Sequence, residues 1–166
     1  MIESDRLELQ TFTDSSVSAL LQLFSNDAPG IKLTSSFPLP PTEEKIKEWY
    51  KAKHAETSHT FAIILKSENT IIGAIGFSGN KEAVGMGYMI GEQFRGKGYA
   101  TEAAKLCINY AKSIGVSKIL AETFIENPKS EKVLQKLGFK NIGLSTKNFP
   151  ARGGDRKINT WELNIK

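Results

Sequence analysis

Apolar and polar residues alternate along several short stretches, a pattern typical of strands with one buried face. The first such stretch is Arg6–Thr11, where Leu7 and Leu9 alternate with polar neighbours. The same pattern predicts six further strands, over Thr60–Lys66, Thr70–Ser78, Ala83–Ile90, Ile119–Ile125, Phe139–Leu144 and Lys157–Ile165. Short polar connections follow the second and third strands of the chain. They predict hairpins, so the second, third and fourth strands are expected to be antiparallel neighbours.

Apolar residues at helical spacing predict four helices. These are a helix that Asp14 is expected to cap and that ends before Pro29, a helix that Thr42 can cap, a helix over Ala100–Gly115 and a helix over Asn127–Leu137. The segments Gly30–Pro41 and Asn148–Arg156 are predicted to be loops. The third helix joins the strands that end at Ile90 and begin at Ile119, so it predicts a right-handed parallel crossover.

This order of elements predicts the α/β (α+β) class. We expect a single domain over residues 1–166, with a mixed, mostly antiparallel twisted sheet of about seven strands flanked by about four helices. A chain of 166 residues is long enough for one hydrophobic core and too short for two comfortable ones. The sequence shows no internal repeat and no linker.

Composition narrows the possible partners. The net charge of +4 comes from bases spread along the chain, whereas nucleic-acid binding proteins usually concentrate them, so no nucleic acid is expected. No apolar run approaches the ~18 residues of a membrane span, and the N-terminus has no apolar signal segment. The single cysteine, Cys107, fits a reducing compartment. These features predict a cytoplasmic protein without a membrane partner, a monomer or a homodimer.

No metal site is expected. His54 and His59 are isolated histidines without cysteine or carboxylate neighbours at zinc-ligand spacing. Cys107 lies on the apolar face of its helix, which favours a place in the core over a nucleophilic role.

A glycine-rich turn, Gly91–Gly98, connects a predicted strand to an alanine-rich helix. Backbone N–H groups at such a junction are unpaired, and with the helix dipole they favour phosphate. The turn differs from a Walker A loop, because Gly98 occupies the place of the magnesium-binding hydroxyl. It also differs from a dinucleotide fingerprint, because Thr101 replaces the third glycine. Both classes of nucleotide site are therefore disfavoured.

The turn matches a different pattern. The stretch Gln93-x-x-Gly96-x-Gly98-Tyr99-Ala100-Thr101-Glu102-Ala103 resembles the acyl-coenzyme A pyrophosphate loop of the GNAT N-acetyltransferase superfamily. The sequence from Gly87 to Ala103 is similar to that of one branch of this superfamily, the Rim-type ribosomal-protein N-terminal acetyltransferases. A second signature of that branch, Asn127-x-x-Ser130-x-x-Val133-Leu134-x-Lys136-Leu137-Gly138-Phe139, follows at the expected distance.

The resemblance implies that acetyl-CoA is the co-substrate. Pantetheine would lie between the strand ending at Gly91 and the strand Ile119–Ile125. The implied cofactor-binding residues are Met89, Ile90, Gly91, Arg95, Gly96, Lys97, Gly98, Tyr99, Ala100, Thr101, Asn127 and Ser130. Among them, the loop amides would bind pyrophosphate with help from Arg95 or Lys97, and the N–H near Met89 or Ile90 would hold the developing oxyanion.

The implied reaction is direct attack of a neutral amine on the thioester, which needs a proton acceptor and a proton donor. Gly85 stands where many members have a glutamate, which leaves Glu82 and Glu122 as candidate bases. Glu122 can equally be a solvated strand residue. Leu134 stands where many members have a proton-donating tyrosine, and the Rim-type branch offers Ser130 instead. Ser130 can equally be only a helix-start cap.

The resemblance thus predicts an enzyme that acetylates a primary amine, either a protein N-terminus or a small molecule. The acceptor would enter opposite the cofactor, near Phe37, Trp49, Phe149 and Arg152. The departures at Gly85 and Leu134 keep an alternative open, a non-catalytic acyl-CoA binding or sensing module on the same fold.

Overall fold

The computed structural model describes residues 1–52 and 57–166, so His54 lies outside the described residues. The strands are β1 (Ile2–Glu3), β2 (Leu7–Thr11), β3 (His59–Leu65), β4 (Thr70–Gly79), β5 (Val84–Ile90), β6 (Lys118–Phe124), β7 (Lys140–Phe149) and β8 (Gly154–Asn164). The helices are α1 (Val17–Phe24), α2 (Ala28–Lys32), α3 (Glu43–Lys51), α4 (Tyr99–Ser113) and α5 (Pro128–Lys136). None of the helices in these two ranges has the length and apolarity needed to cross a membrane.

The strands form one sheet in the order β1-β2-β3-β4-β5-β6-β8-β7. Every neighbouring pair is antiparallel except β5 and β6, which are parallel and joined through α4. The predicted mixed, mostly antiparallel sheet with flanking helices is confirmed. The additional strand is β1, whose two residues pair with β2 through Ile2↔Leu9 and Glu3↔Glu8.

Three local predictions were wrong. The predicted loop Gly30–Pro41 begins inside α2, a short helix that Asp27 caps by accepting from the Gly30 N–H. The predicted loop Asn148–Arg156 is the tip of a long hairpin, because β7 continues to Phe149 and β8 begins at Gly154. Asp14 is not the cap before α1, because Thr13 caps the short helical turn that precedes it.

Helices cover both faces of the sheet, and a hydrophobic core lies beneath each group. One core joins α4 and α5 to β-strand residues such as Phe77 and Ile119, and it contains the fully buried Cys107. The other core joins α1, α2 and α3 to the opposite face, where Met89 of β5 lies. Side chains alternate between the faces of a strand, so Tyr88 faces the α4 core and Met89 faces the α1 core.

The parallel pair β5–β6 is joined at only two positions of the described residues, Val84↔Ile119 and Gly85↔Leu120. Each strand is instead paired over seven positions with an antiparallel partner, β5 with β4 and β6 with β8. Each therefore follows the twist of its own partner, and the two strands separate beyond Gly85. A gap opens between the end of β5 and the end of β6.

Close backbone packing at Gly73 makes this glycine a test of the β4–β5 contact. A Cβ at Gly73 would lie 2.1 Å from the Met89 carbonyl oxygen, whereas a Cβ at Gly87 would meet nothing within 4 Å. We expect Gly73→Ala to lower the free energy of unfolding by about 1–3 kcal/mol, because the strands must move apart. Gly87→Ala is the matched control and should remain within about 0.5 kcal/mol of the parent protein. Urea unfolding measures both, and equal effects would contradict the packing argument.

Candidate active site

The turn between β5 and α4 has the geometry of an anion cradle. Gly96 and Gly98 have positive φ angles of 76° and 83°, a conformation that favours glycine. The backbone N–H groups from Gly96 to Ala100 donate to no acceptor in the described part of the chain. A Cβ at Gly96 would meet nothing within 4 Å, so the space above the turn is open. Unpaired amides at the N-terminus of a fifteen-residue helix fit a pyrophosphate group.

The side chain of Arg95 turns away from these amides. Its guanidinium forms an ion pair with Asp27, which is almost fully buried, and its Nε donates to the Ile90 carbonyl oxygen at 2.9 Å. Arg95 thereby joins the turn to the segment that connects α1 and α2. Of the two side chains predicted to assist phosphate binding, Arg95 is engaged in this contact and Lys97 is exposed.

Arg6 supports the turn from the other side, a role that the sequence did not indicate. Its Nη1 donates to the Lys97 carbonyl oxygen at 2.9 Å, its Nε donates to Glu102 at 2.7 Å, and its guanidinium lies 4.5 Å from the centre of the Tyr99 ring. Glu102 also accepts from Ser4 at 2.6 Å. These contacts fix the turn to the N-terminal end of β2.

An open cleft of about 320 Å³ adjoins the start of α4. Its lining residues are mostly polar or basic: Arg6, Gly98, Thr101, Glu102, Lys105 and Lys136. Thr101, one of the predicted cofactor-binding residues, therefore lies at the edge of a cleft with a cationic surround.

The backbone of Ile90 faces the gap between β5 and β6. The Gly91 N–H donates to the Ile72 carbonyl oxygen at 2.8 Å, so Gly91 is directed toward β4. Backbone groups alternate in direction along an antiparallel strand, which directs those of Ile90 toward the gap and those of Met89 toward β4.

Two hydroxyl groups meet across this gap, on the α4 side of the sheet. Tyr88 of β5 and Ser130 of α5 lie 2.8 Å apart, Oη to Oγ. Burial raises the pKa of Tyr88, and the hydrogen bond to Ser130 opposes the rise. The Ser130 N–H also donates to Oδ1 of Asn127, so Asn127 caps α5 and orients its first turn. No sequence pattern indicated a role for Tyr88, because Tyr88 and Ser130 are far apart in the chain and meet only in the tertiary structure.

Glu122 lies on the opposite face of the sheet. It is two residues beyond Leu120, the last residue of β6 that pairs with β5, and its Oε2 contacts Lys147 Nζ at 2.6 Å. The other candidate base, Glu82, lies in the turn before β5. The length of β5 separates Glu82 from Ile90 by roughly 20 Å. Of the two carboxylates, Glu122 is the one at the gap.

The tip of the β7–β8 hairpin, from Phe149 to Gly154, forms an arch over the face that carries Glu122. Arg152, at the tip of the β7–β8 hairpin, is buried, and it donates to the carbonyl oxygens of Thr34 at 2.8 Å and Phe37 at 2.6 Å. Near the same tip, the rings of Phe149 and Phe124 are 5.1 Å apart. Two of the residues expected to line an acceptor site are thus buried supports of the arch, Arg152 and Phe37.

Comparison with known proteins indicates the family. Residues 6–140 match the model of the acetyltransferase (GNAT) domain family. The uncharacterized N-acetyltransferase YnaD of Bacillus subtilis is 30% identical over 123 residues, which are 72% of this chain and 69% of that protein.

Two solved structures share the fold. RimL, a ribosomal L7/L12 alpha-N-protein acetyltransferase in complex with coenzyme A, has a TM-score of 0.83 at 21% identity, over 99% of this chain and 97% of that chain. A spermidine N-acetyltransferase from Vibrio cholerae, in complex with coenzyme A and spermine, has a TM-score of 0.82 at 18% identity, over 98% and 97% of the chains. At these identities the likeness is one of fold.

The Glu102 contacts predict a pH-dependent contribution to stability. Burial alone would raise the pKa of Glu102, but hydrogen bonds from Ser4 and Arg6 outweigh it and hold the pKa below the ordinary value of 4.5. The stabilisation is therefore fully present above pH 4.5 and is lost as the pH falls through the lowered pKa. We expect Glu102→Gln to be less stable than the parent at pH 7, with a difference that shrinks below pH 4.5. Urea unfolding at several pH values measures it, and a constant difference from pH 7 to pH 3 would contradict the assignment.

Proposed function

This chain belongs to the acetyltransferase (GNAT) family, and from that premise we propose that it moves an acetyl group from acetyl-CoA to a primary amine, by direct attack within a ternary complex. The acceptor is a protein N-terminus, as in the Rim-type branch, or a small-molecule amine. The observation that carries the proposal is the gap between β5 and β6, which has unpaired amides at one end and a hydroxyl pair and a carboxylate on its two faces.

Coenzyme A fits the donor side of this site. The N–H groups of Gly96 to Ala100 would hold the pyrophosphate, with the dipole of α4 adding to the attraction. Thr101 contributes a hydroxyl next to them, and Lys97 an exposed cation. Between Met89 and Gly91, the backbone of Ile90 faces the gap at the free edge of β5, and pantetheine would lie along this edge, since an extended ligand can pair with an open strand edge. When bound, acetyl-CoA supplies the activated acetyl group.

The Ile90 N–H is the donor that would stabilise negative charge on the reacting carbonyl oxygen. It is directed into the gap, and it sits on a strand that β4 holds over seven positions. A donor fixed in this way needs no reorganisation during the reaction, which is the condition for effective oxyanion stabilisation.

Ser130 and Tyr88 would deliver the proton that the departing thiolate needs. A tyrosine at position 134 does this in many members of the family, but here Leu134 is fully buried in the core. The Tyr88 hydroxyl reaches Ser130 from β5, so a phenol is present near the gap although it comes from another element. Its raised pKa keeps Tyr88 protonated at neutral pH, the form that can donate. Asn127 orients this pair as the cap of α5.

Glu122 would accept the proton of the attacking amine. An alkyl ammonium has a pKa near ~10, so most of the amine carries a proton that must be removed before attack. Glu122 lies on the face opposite Ser130. The acceptor amine and acetyl-CoA would therefore approach the gap from opposite sides. The arch held by Arg152 encloses the acceptor side.

The transfer itself is tested by a mass-shift screen. Purified protein is incubated with acetyl-CoA and a panel of small amines and of peptides with different N-terminal residues. We expect one acetyl group on at least one acceptor, with release of an equal amount of thiol. Calorimetry should show binding of coenzyme A and none of ATP. Coenzyme A binding without turnover of any acceptor would favour the sensing module, and tight ATP binding alone would overturn the proposal.

The hydroxyl pair is tested with Ser130→Ala and Tyr88→Phe. Loss of the proton donor should lower kcat by about 100-fold while coenzyme A affinity stays within about twofold, because the amide cradle is untouched. Ser113→Ala, an exposed serine of α4, is the matched control and should retain the parent kcat. Steady-state kinetics and calorimetry measure the two quantities. Unchanged kcat in both variants would leave Ser130 with a structural role only, in the first turn of α5 that Asn127 caps.

A further inference from the structure

Lys147 places an amine beside the proposed base. Its Nζ is 2.6 Å from Oε2 of Glu122, and both side chains remain partly open to solvent, Lys147 at 54% and Glu122 at 37%. An exposed ion pair adds little to stability, so this contact has no strong structural reason. It does reproduce the arrangement that the acceptor needs, a primary amine in direct contact with the proton acceptor.

The contact also shows that the β7–β8 hairpin curls over the acceptor side. In the sheet register, Glu122 pairs with Thr160, and Thr160 pairs with Gly143 of β7. Lys147 is four residues farther along β7. In a flat sheet its Cα would be about 13 Å along the strands and about 10 Å across them from Glu122, too far for the two side chains to meet. The hairpin must bend toward Glu122, as the Arg152 anchor at its tip requires.

We propose that Lys147 is an acetyl acceptor within its own chain, a proposal that rests on the proposed transferase function. The Lys147 nitrogen forms a bond to the acetyl carbon as the bond from that carbon to sulfur breaks. Glu122 takes one proton from the ammonium, which leaves the neutral amine that attacks. The second proton, lost as the amide forms, passes to solvent, and the Ser130–Tyr88 pair gives a proton to the thiolate and regains one from solvent. The products are Nε-acetyl-lysine and free coenzyme A.

Acetylation would change the acceptor side as well as Lys147. The amide carries no charge, so the ion pair with Glu122 is lost and the carboxylate becomes free for an external amine. A first turnover on Lys147 would therefore prepare the site for later acceptors.

The strand provides its own control, because Lys140 is on the same face of β7. The partners of Lys140 and Lys147 on β8 are Glu162 and Arg156, six residues apart, so both side chains leave the same side of the sheet. Purified full-length protein is incubated with acetyl-CoA alone, digested, and the acetylation of each lysine is measured by mass spectrometry. Acetic anhydride, applied separately, corrects for the intrinsic reactivity of each amine.

After this correction we expect Lys147 to be acetylated about 100-fold faster than Lys140, the contribution of a positioned base. Glu122→Gln should remove the difference. Equal rates at the two lysines in the parent protein would overturn the proposal.

A mixing experiment tests whether the transfer is intramolecular. Glu122→Gln protein keeps Lys147 but lacks the base, and Lys147→Arg protein keeps the base but lacks the acceptor. Their mixture should leave Lys147 unmodified, and in the parent protein the rate constant should not depend on protein concentration. Modification in the mixture would overturn an intramolecular step.

The ion pair itself can be observed without acetyl-CoA. With isotope-labelled methyl groups on the lysines, the Lys147 NMR signal should move in Glu122→Gln protein while that of Lys140 stays in place. A Lys147 signal that does not move would overturn the proposal. The amine screen distinguishes this inference from the proposed transferase function. Acetylation of external amines without Lys147 modification would refute the inference and still support the transferase function.

Discussion

The early end of the β5–β6 pairing is the constraint on which the other features of this protein depend. Both strands are held by antiparallel partners, so the parallel contact that joins the two halves of the sheet covers only Val84 and Gly85. The gap beyond them exposes a strand edge inside the protein instead of at its border. An unpaired backbone at the centre of a sheet favours an extended ligand, and the amides before α4 provide the anionic end of such a ligand with partners.

Three arginines keep the surroundings of the gap in place. Arg6 fixes the glycine turn to β2, Arg95 fixes the same turn to the α1–α2 segment, and Arg152 fixes the hairpin tip to the segment before α3. Each donates to at least one backbone carbonyl oxygen. Guanidinium groups suit this task, because several N–H donors in one plane can satisfy carbonyl and carboxylate oxygens together. Arg95 and Arg152, which are among the candidate ligand-binding residues predicted from the sequence, are thus engaged in holding the site together.

The proposed proton donor and proton acceptor are arranged on opposite faces of the sheet. Tyr88 and Ser130 meet on the α4 side, and Glu122 is on the side of the arch. Gly85 stands where many members of the family have a glutamate, and it leaves open space at that position of β5. Leu134 stands where many members have a tyrosine, and its side chain is packed in the core. We infer that Glu122 of β6 would take over the base function, and that Ser130 of α5 together with Tyr88 of β5 would take over the acid function.

The sequence by itself determined the order of strands and helices, the parallel crossover and the glycine turn, because these follow from local periodicity and from residues that tolerate positive φ. The resemblance to the GNAT family made Ser130 a candidate proton donor and left Glu82 and Glu122 as candidate bases. The sequence did not reveal α2, the extent of the β7–β8 hairpin, or the meeting of Tyr88 with Ser130. The contacts of Arg6, Arg152 and Lys147 join positions 25 to 118 residues apart, and only the packed chain brings such positions together.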